Sequence, residues 1–512
     1  YEIGSGLVGS EMCIRDSLKS DGIMTIVLPH GVLFRGGEEG EIRKNLIEQN
    51  HIDAIIGLPA NIFFGTGIPT IIMVLKQKRS NTDVLIVDAS KGFIKVGKNN
   101  KLRASDIKRI VDVVTKRESV QKFSKVVSRD EIRKNEYNLN IPRYVDSSEA
   151  AESWDIYASM FGGLPLSEID ELKEYWIAFP ELRNALFENT SSAYCNLRVE
   201  NIKKAIKEHS DICSFENKYR DVFSGFDEYL YDELIEKMTA LNISKAEATL
   251  SANIFERLKD IPLVDKYEAY QLLDDDWTKI AVDLEIIQTE GFEATKRVDP
   301  NMVIKKKDGK EQEVQEGWVG RIIPFDLIQD TLLSDDKAAL KAKENRLSEI
   351  ASEYEELFDS LTEEEKEGDY AGEDGFVNAE IKKALKSDSV EPETKEKLRK
   401  VAALATEEKE LKAAIKKDAG LLEGKTKETI ESLSDEQVID LLKDKWITPL
   451  IQSLMKLPDS IVNELVSKLE ALTKKYETTF AEVETQISET EKTLSAMIDD
   501  LEGNEFDMLG LS

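Results

Sequence analysis

The sequence predicts an α/β region near its N-terminus, part of a doubly wound sheet, followed by a helical region and an acidic coiled-coil arm. Three observations predict this order. Short apolar runs bounded by Gly or Pro occur before residue 90, as in strands covered on both faces. Helical spacing of apolar residues dominates after residue 146, and seven-residue apolar repeats follow residue 330, which favours paired helices.

The α/β region contains four predicted strands and one helix. A strand over 22–29 is followed by a helix over 38–49 and by strands over 52–59, 70–75 and 84–87. A strand, a helix and a strand, followed by two strands with a short connection, are typical of the tail of a doubly wound sheet that ends in an antiparallel hairpin.

Charge is distributed unevenly along the 512 residues, whose net charge is −31. Residues 1–145 hold 23 Lys and Arg against 17 Asp and Glu, whereas residues 146–512 hold 46 against 83. Residues 76–143 alone carry 18 basic and 8 acidic side chains. This excess is enough for phosphate contacts if the side chains share one face, and a solvated surface is the alternative.

Composition excludes several classes of protein. The three Cys and three His residues show no zinc-ligand spacing and cannot form a disulfide framework, so we expect a reduced, cytoplasmic protein without a metal site. No apolar run approaches the length of about 18 residues that spans a bilayer, so we expect no membrane association.

The first seventeen residues differ in character from the rest. Residues 4–9 match G-x-G-x-x-G, but a nucleotide-binding turn must follow a buried strand, and three residues are too few to form one. The segment reads like translated adapter sequence. We therefore expect residues 1–17 to be a non-native leader and the native sequence to begin near Leu18.

Several ordered motifs then carry a specific resemblance. They are LPHGVLF at 28–34, EIR at 41–43, LPANIFFGTGIPT at 58–70, NEYNLNIPRYV at 135–145 and GGLP at 162–165. Together they resemble the modification subunit of Type I restriction-modification systems, an adenine-specific DNA methyltransferase. The resemblance covers residues 18–200 well and the remainder only in general character.

This resemblance implies the C-terminal half of a doubly wound, Rossmann-like methyltransferase sheet, truncated at its N-terminus and ending near residue 145. It also implies S-adenosylmethionine as cofactor, and DNA, a specificity subunit and a restriction subunit as partners. The family's glycine-rich cofactor turn and its Asn-Pro-Pro-aromatic tetrapeptide do not occur in this sequence. We therefore expect the chain to lack the catalytic motif and to be inactive by itself.

The loop after the second strand is the candidate site for the target base. An enzyme that modifies a base of duplex DNA extrudes it and holds it against an aromatic or apolar surface. The resemblance implies that Phe63 or Phe64 packs on the flipped adenine, with Gly65 and Thr66 completing a loop that permits close approach. The alternative is that both rings plug the core below the loop.

The end of the first strand supplies three further candidates. Pro29, His30 and Phe34 follow the carboxyl end of that strand, which is the usual ligand edge of such sheets. His30 is a candidate for contact with DNA, and a hydrogen-bonded structural histidine is the alternative.

A basic, hairpin-like loop over 91–103 is the candidate for phosphate contacts. Its glycines and asparagines favour a turn, and its cations suit contacts to the DNA backbone without sequence reading. The candidate residues are Lys91, Lys95, Lys98, Lys101 and Arg103.

The acidic body is divided into a helical domain over 146–325 and an acidic helical or coiled-coil region over 326–512. Aromatic residues of the first part recur at helical offsets, which predicts core positions, and a small hairpin is expected around 305–310. Seven-residue repeats over 333–361 and 476–501 predict two helices that pair with each other as an antiparallel arm. Residues 362–400 between them read as a loosely packed linker.

Two functions from different classes remain open. The leading one is a subunit of a DNA adenine methyltransferase, and the alternative is a non-catalytic coiled-coil scaffold or interaction protein. An in-frame glycine-rich turn and an Asn-Pro-Pro-aromatic codon run in the genomic DNA upstream of Leu18 would favour the first.

Overall fold

The computed structural model describes residues 18–499 except Thr66 and residues 149–152, 308–309, 373–374 and 388–389. The described chain forms two compact units. The first takes its residues from 18–224, 247–275 and 453–499, and the second from 225–246 and 276–452. The predicted leader over 1–17 lies outside the described residues, and the predicted domain boundaries at 145 and 325 stay predictions.

A five-stranded sheet organises the N-terminal part of the first unit. The first seven strands of the chain are β1 (Ile23–Pro29), β2 (Ile52–Gly57), β3 (Thr70–Lys76), β4 (Val84–Asp88), β5 (Ile94–Val96), β6 (Asn99–Lys101) and β7 (Ser124–Val127). The sheet order is β1-β3-β2-β4-β7, with β5 and β6 forming a separate hairpin. Strands β2 and β4 are parallel, whereas β3 pairs antiparallel with both β1 and β2. The four predicted strands are confirmed, and β7 is a strand that the apolar pattern does not predict. The predicted antiparallel hairpin of the last two strands is wrong, because β2 lies between β3 and β4.

Helices cover both faces of this sheet. Helix α1 (Glu38–Glu48) confirms the predicted helix and, with residues 132–145, packs on one face. Helix α2 (Ala104–Lys116) contributes Ile110 and Val113 to the other face. Because side chains alternate along a strand, the continuously apolar strands fill both cores.

The amino edge of the sheet is closed by ion pairs around Asp53, which is 4% exposed. Its carboxylate lies 2.7 Å from Lys76 Nζ, 3.0 Å from Arg79 Nε and 2.7 Å from Arg117 Nη1. A buried carboxylate requires such partners. The polar groups of this edge are therefore committed to the fold, and the opposite, carboxyl edge is where loops present side chains.

The remainder of the first unit is mainly helical, with a three-stranded sheet of order β8-β10-β9. These strands are β8 (Leu164–Pro165), β9 (Phe187–Asn189) and β10 (Tyr194–Leu197). Core positions predicted for the aromatic residues are confirmed for Tyr175, Phe179 and Phe187, which are buried. The core positions predicted for Trp154 and Tyr157 are wrong, because these two residues are 57% and 51% exposed.

The predicted helical C-terminal region is confirmed. The helices after α2 are α3 (Arg129–Lys134), α4 (Ile156–Phe161), α5 (Leu166–Asp170), α6 (Lys173–Ala178), α7 (Leu182–Leu186), α8 (Ile202–Lys207), α9 (Ser210–Val222), α10 (Phe226–Tyr231), α11 (Ile243–Leu258), α12 (Lys266–Glu290), α13 (Phe325–Thr331), α14 (Ser334–Asp359), α15 (Glu363–Lys366), α16 (Asn378–Ala384), α17 (Pro392–Glu431), α18 (Asp435–Trp446), α19 (Thr448–Met455), α20 (Leu457–Lys475) and α21 (Phe480–Asp499). Among the helices of the described residues, none has both the length and the apolar character needed to cross a membrane.

The second unit contains two short hairpins among its helices. Strands β11 (Val298–Lys307) and β12 (Lys310–Gly320) confirm the predicted hairpin and extend it on both sides. Strands β13 (Ala371–Gly372) and β14 (Gly375–Phe376) form the second.

The predicted linker over 362–400 is wrong. It contains α15, α16 and the start of α17, and its apolar residues join a buried cluster that includes Tyr370, Ile381 and Leu398. The dense charge of this segment lies on the outside of short helices. Charge density alone therefore does not distinguish a linker from a small charged subdomain.

The predicted pairing of the two heptad segments is also wrong. Helix α14 packs along the 40-residue helix α17, and Arg346 of α14 bonds Glu407 of α17 at 2.7 Å. Helix α21 instead contacts α4, and leaves apolar side chains such as Ile487, 53% exposed, uncovered. The predicted partner of α14 is replaced by a helix that has no strict heptad of its own.

Candidate functional site

Three strands end together at the carboxyl edge of the five-stranded sheet. Strands β1, β2 and β4 run in the same direction because β3 is antiparallel to both β1 and β2 and β4 is parallel to β2. Their last residues, Pro29, Gly57 and Asp88, therefore lie at one edge. Loops at this edge of an α/β sheet are where ligands bind.

The loop from β2 to β3 presents two aromatic rings at this edge. Phe63 is 41% exposed and Phe64 is 93% exposed, so the alternative in which both rings plug the core is wrong. Gly65 has φ +81°, a backbone conformation that favours glycine. Thr66, the remaining candidate of this loop, lies outside the described residues.

Pro29, His30 and Phe34 lie at the same edge, beside that loop. The backbone N–H of His30 donates to Pro69 O at 3.2 Å. The ring of Phe34, 46% exposed, meets the His30 ring edge-on with 5.8 Å between centroids. Burial lowers the pKa of His30 below its ordinary value of 6.5, and the field of Asp88 opposes that shift. His30 is therefore neutral near pH 7 and can donate or accept one hydrogen bond.

Asp88, at the end of β4, is a site residue that the sequence reasoning missed. It is 9% exposed, and its carboxylate accepts from Ser90 N at 3.0 Å and from Ser147 Oγ at 2.5 Å. The available signal was an acidic residue directly after a buried apolar strand. Gly57 allows Ile141 to pack against the end of β2, because a Cβ at residue 57 would lie 2.6 Å from Ile141 Cδ1.

The predicted basic loop is confirmed as a hairpin, formed by β5 and β6. Asn100 fastens it to the aromatic loop, since its N–H donates to Asn61 O at 2.9 Å and its Nδ2 donates to Ala60 O at 2.7 Å. The structure therefore brings the basic hairpin and the two exposed phenylalanines onto one continuous surface.

The five cations predicted for phosphate contact differ in their availability. Lys95, Lys98 and Lys101 are exposed, and Lys91 donates to the carbonyl of Ser147. Arg103 instead bonds two carboxylates, Asp106 at 3.2 Å and Glu268 at 3.1 Å.

The hydrogen bond to Asp106 is the main cause of the raised pKa of Arg103. Its charge is therefore largely neutralised within the fold, unlike those of the lysines.

The carboxyl edge is also where a metal ion or a cofactor would bind in an α/β sheet. Within the described ranges, no group of three or more His, Cys, Asp or Glu side chains is placed to hold a metal ion. The glycine-rich cofactor turn of the resembled family is not among the residues of this edge, and its acidic side chain, Asp88, accepts hydrogen bonds from Ser90 and Ser147 of the chain itself. What the edge offers is an aromatic and cationic surface.

Known proteins are similar to the part of the chain that contains the five-stranded sheet. Residues 12–153 match the family model described as N-6 DNA Methylase. The Type I restriction enzyme MpnII methylase subunit of Mycoplasma pneumoniae is 41% identical over 140 residues, which are 27% of this chain and 26% of that protein. The MjaVII methylase subunit of Methanocaldococcus jannaschii is 40% identical over 155 residues, 29% of this chain and 25% of the relative.

A solved structure gives a similar coverage. The type I restriction-modification system methyltransferase subunit from Streptococcus thermophilus is 54% identical, covers 26% of this chain and 28% of its own, and superposes with a TM-score of 0.25. The chain thus spans about a quarter of the length of the curated relatives that it matches. Residues 12–153 are therefore similar to the N-6 DNA Methylase family, and the resemblance to the methylase subunits of Type I restriction enzymes is confirmed over that segment.

Proposed function

We propose that this chain is part of the modification subunit of a Type I DNA adenine methyltransferase, and that its carboxyl edge receives DNA and the target adenine. The observation that carries this proposal is the single surface formed by Phe63, Phe64 and the basic hairpin, tied together through Asn100. Exposed aromatic rings next to cations suit an extruded base together with its phosphates.

The roles of the residues follow from their positions. The ring of Phe63 or Phe64 stacks on the extruded adenine, and Lys95, Lys98 and Lys101 contact phosphates without reading sequence. His30, neutral near pH 7, offers one polar contact beside the base, with the Phe34 ring packed against it. Asp88 positions the segment after Val145 through Ser147.

S-adenosylmethionine is the cofactor that we propose for the complete enzyme, where it supplies the methyl group. The family's cofactor turn and Asn-Pro-Pro-aromatic tetrapeptide are not in these 512 residues. We therefore assign no step of methyl transfer to this chain and propose that, by itself, it neither binds the cofactor nor methylates DNA. Calorimetric titration with S-adenosylmethionine tests this, and saturable micromolar binding would contradict it.

For the partner subunits, we propose that α21 provides a contact surface for a helix of the specificity subunit. Its apolar side chains Phe480, Ile487 and Leu494 are 58%, 53% and 56% exposed, and such a stripe requires a partner to be covered. The same exposed stripe also favours the alternative function, that of a non-catalytic coiled-coil scaffold or interaction protein. The two functions differ in whether DNA binds at the carboxyl edge.

DNA binding is tested with a duplex that carries one unpaired adenine, compared with the fully paired duplex. An unpaired base is extruded at lower cost, so the wild type should prefer the first duplex. Phe64→Ala should remove much of that preference, because base–aromatic stacking contributes about 1–3 kcal/mol. Phe480→Ala removes an exposed ring from α21 and is the control. Equal affinity for both duplexes in the wild type would refute the proposed base site.

A further inference from the structure

A polar cavity lies beside the carboxyl edge, between the start of α1 and residues 133–143. We name it the Arg43 pocket. Its volume is about 630 Å³, and its walls include Gly36, Gly37, Gly40 and Arg43 on one side and Lys134, Asn138 and Arg143 on the other. Of the candidate residues that the structure describes at the carboxyl edge, Phe34 lines this cavity and the others do not.

Arg43 is a buried cation held by carbonyl groups only. It is 6% exposed, its Nε donates to Tyr137 O at 2.7 Å, and its Nη1 donates to Val32 O at 2.7 Å and to Arg35 O at 3.0 Å. A buried charge ordinarily has an ionic partner, because its desolvation is otherwise uncompensated. The field of the Glu39 carboxylate opposes the lowering of the Arg43 pKa by burial, but Glu39 forms its ion pair with Arg35, at 3.7 Å.

One nitrogen of Arg43 is left for a ligand. Its Nη2 makes no hydrogen bond to any residue in the described part of the chain. Gly40 keeps the approach to that nitrogen open, since a Cβ at Gly40 would lie 3.8 Å from Nη2. Two nitrogens therefore fix the guanidinium, and the third is presented next to a glycine.

Positive charge exceeds negative charge on the walls of the pocket. The charged lining residues are Arg43, Lys44, Arg133, Lys134 and Arg143 against Glu41 and Glu136. Arg133 is engaged by Glu48 at 2.7 Å. Lys134 and Arg143 are exposed and form no ion pair within the described residues. An oxyanion would complete this arrangement through hydrogen bonds to charged donors, which are the strong ones.

The pocket adjoins the surface proposed to receive DNA. The Phe34 ring lines the pocket and also contacts the His30 ring. The two walls are joined by Leu139 N, which donates to Leu33 O at 2.9 Å. A phosphate bound in the pocket would therefore belong to the same strand of DNA or to its neighbour across the groove.

We propose that the Arg43 pocket binds a phosphodiester group of DNA, with Arg43 Nη2, Lys134 and Arg143 as donors. This inference rests on the proposed function, because it adds a second backbone contact to the same interface. Its role is to fix the register of the duplex relative to the aromatic loop.

The test measures duplex affinity of the full chain as a function of salt. Lys134→Gln combined with Arg143→Gln should lower the slope of log affinity against log salt by about 1, the value for one lost phosphate contact. Affinity at low salt should fall by several fold. Lys203→Gln combined with Lys204→Gln removes the same charge from exposed positions of α8 and should leave the slope unchanged.

A second variant tests Arg43 without removing it. Gly40→Ala places a methyl group at ordinary contact distance from Nη2 and replaces glycine by alanine within α1, so folding should be preserved. We expect weaker duplex binding at a melting temperature no lower than that of the wild type, because alanine is favoured over glycine within a helix. Gly420→Ala in α17, where a Cβ would meet nothing within 4 Å, is the matched control.

The outcomes separate the two proposals. If the wild type binds duplex and the Lys134 and Arg143 variant binds with the same slope, the pocket assignment is overturned and the proposed function stands. If the wild type binds no duplex, both are overturned. Inorganic phosphate at matched ionic strength distinguishes a free phosphate ligand: millimolar phosphate should release duplex from the wild type more readily than from the Lys134 and Arg143 variant, whereas phosphate binding by the wild type that leaves duplex affinity unchanged would contradict a phosphodiester site.

Discussion

Helices α14 and α21 carry the same seven-residue apolar pattern, yet one stripe is covered and the other is bare. In α14, Ile350 is 1% exposed because α17 packs along it, with Arg346 bonding Glu407 across the pair. In α21, Ile487 at an equivalent kind of position is 53% exposed. A heptad repeat thus predicts that a helix needs a partner, and it does not say which segment supplies one.

The largest expected effect comes from a charge placed in each stripe. Ile350→Asp buries a carboxylate with no ionic partner between α14 and α17, and should lower the free energy of unfolding by about 3–5 kcal/mol. Ile487→Asp lies on an exposed face and should change it by less than about 0.5 kcal/mol. Urea unfolding followed by circular dichroism compares the two. Equal losses would mean that α21 is covered in solution.

The second prediction concerns the stability in acid of the charged segment over 362–400. The hydrogen bond from Thr394, followed by those from Thr362 and Lys397, lowers the pKa of Glu365 from 4.5 to about 2. Because the pKa of Glu365 is lower in the folded chain than in the unfolded chain, its ionised carboxylate stabilises the folded state above pH 4.5. This stabilisation is lost as pH falls from about 4.5 toward 2. Glu365→Gln should therefore flatten the fall of melting temperature across this window.

The control for this effect is Glu364→Gln, an exposed neighbour in the same short helix. It should retain the wild-type dependence of melting temperature on pH. A wild-type profile in Glu365→Gln would show that the bonds to Thr394 and Lys397 do not persist in solution.

The smallest expected effect is that of the ion pair between α14 and α17. Arg346 makes two hydrogen bonds to Glu407, at 2.7 and 3.0 Å, and its side chain is 34% exposed. Arg346→Met should lower the melting temperature by less than half as much as Ile350→Asp, since solvent screens such pairs. The difference from wild type should shrink in 1 M salt. Lys492→Met, on exposed α21, should have no effect on melting temperature.

Local pattern was sufficient for most elements of the five-stranded sheet. The predicted strands over 22–29, 52–59, 70–75 and 84–87 end within two residues of their observed bounds. Each is a short, mainly apolar run bounded by Gly, Pro or a polar residue, and its length and flanking residues favour a buried strand over a helix. Strand β7 was missed because its four residues stand among charged ones.

The candidate site was predictable where exposure follows from local chemistry. The aromatic loop and the lysine hairpin are recognisable by their glycines and asparagines. Asp88 was not recognised, because its partner Ser147 lies 59 residues away in sequence. Arg43 was expected to pair with Glu39 or a phosphate, and its bond to the carbonyl of Tyr137, 94 residues away, was not foreseen. Arg103 was expected to contact phosphate, but its charge is neutralised by Asp106, three residues away, and by Glu268, which is 165 residues away.

The sequence by itself determined the apolar strands, the basic head, the acidic helical body and the resemblance of the N-terminal part to Type I methylase subunits, because propensity, charge and motif order are properties of neighbouring residues. Only the tertiary structure decided that β3 lies between β1 and β2, that α17 covers α14, and that Arg43 is held by three carbonyls. Those choices depend on which distant segments best satisfy each other's apolar surface and hydrogen bonds. No local window of sequence contains both sides of such a contact.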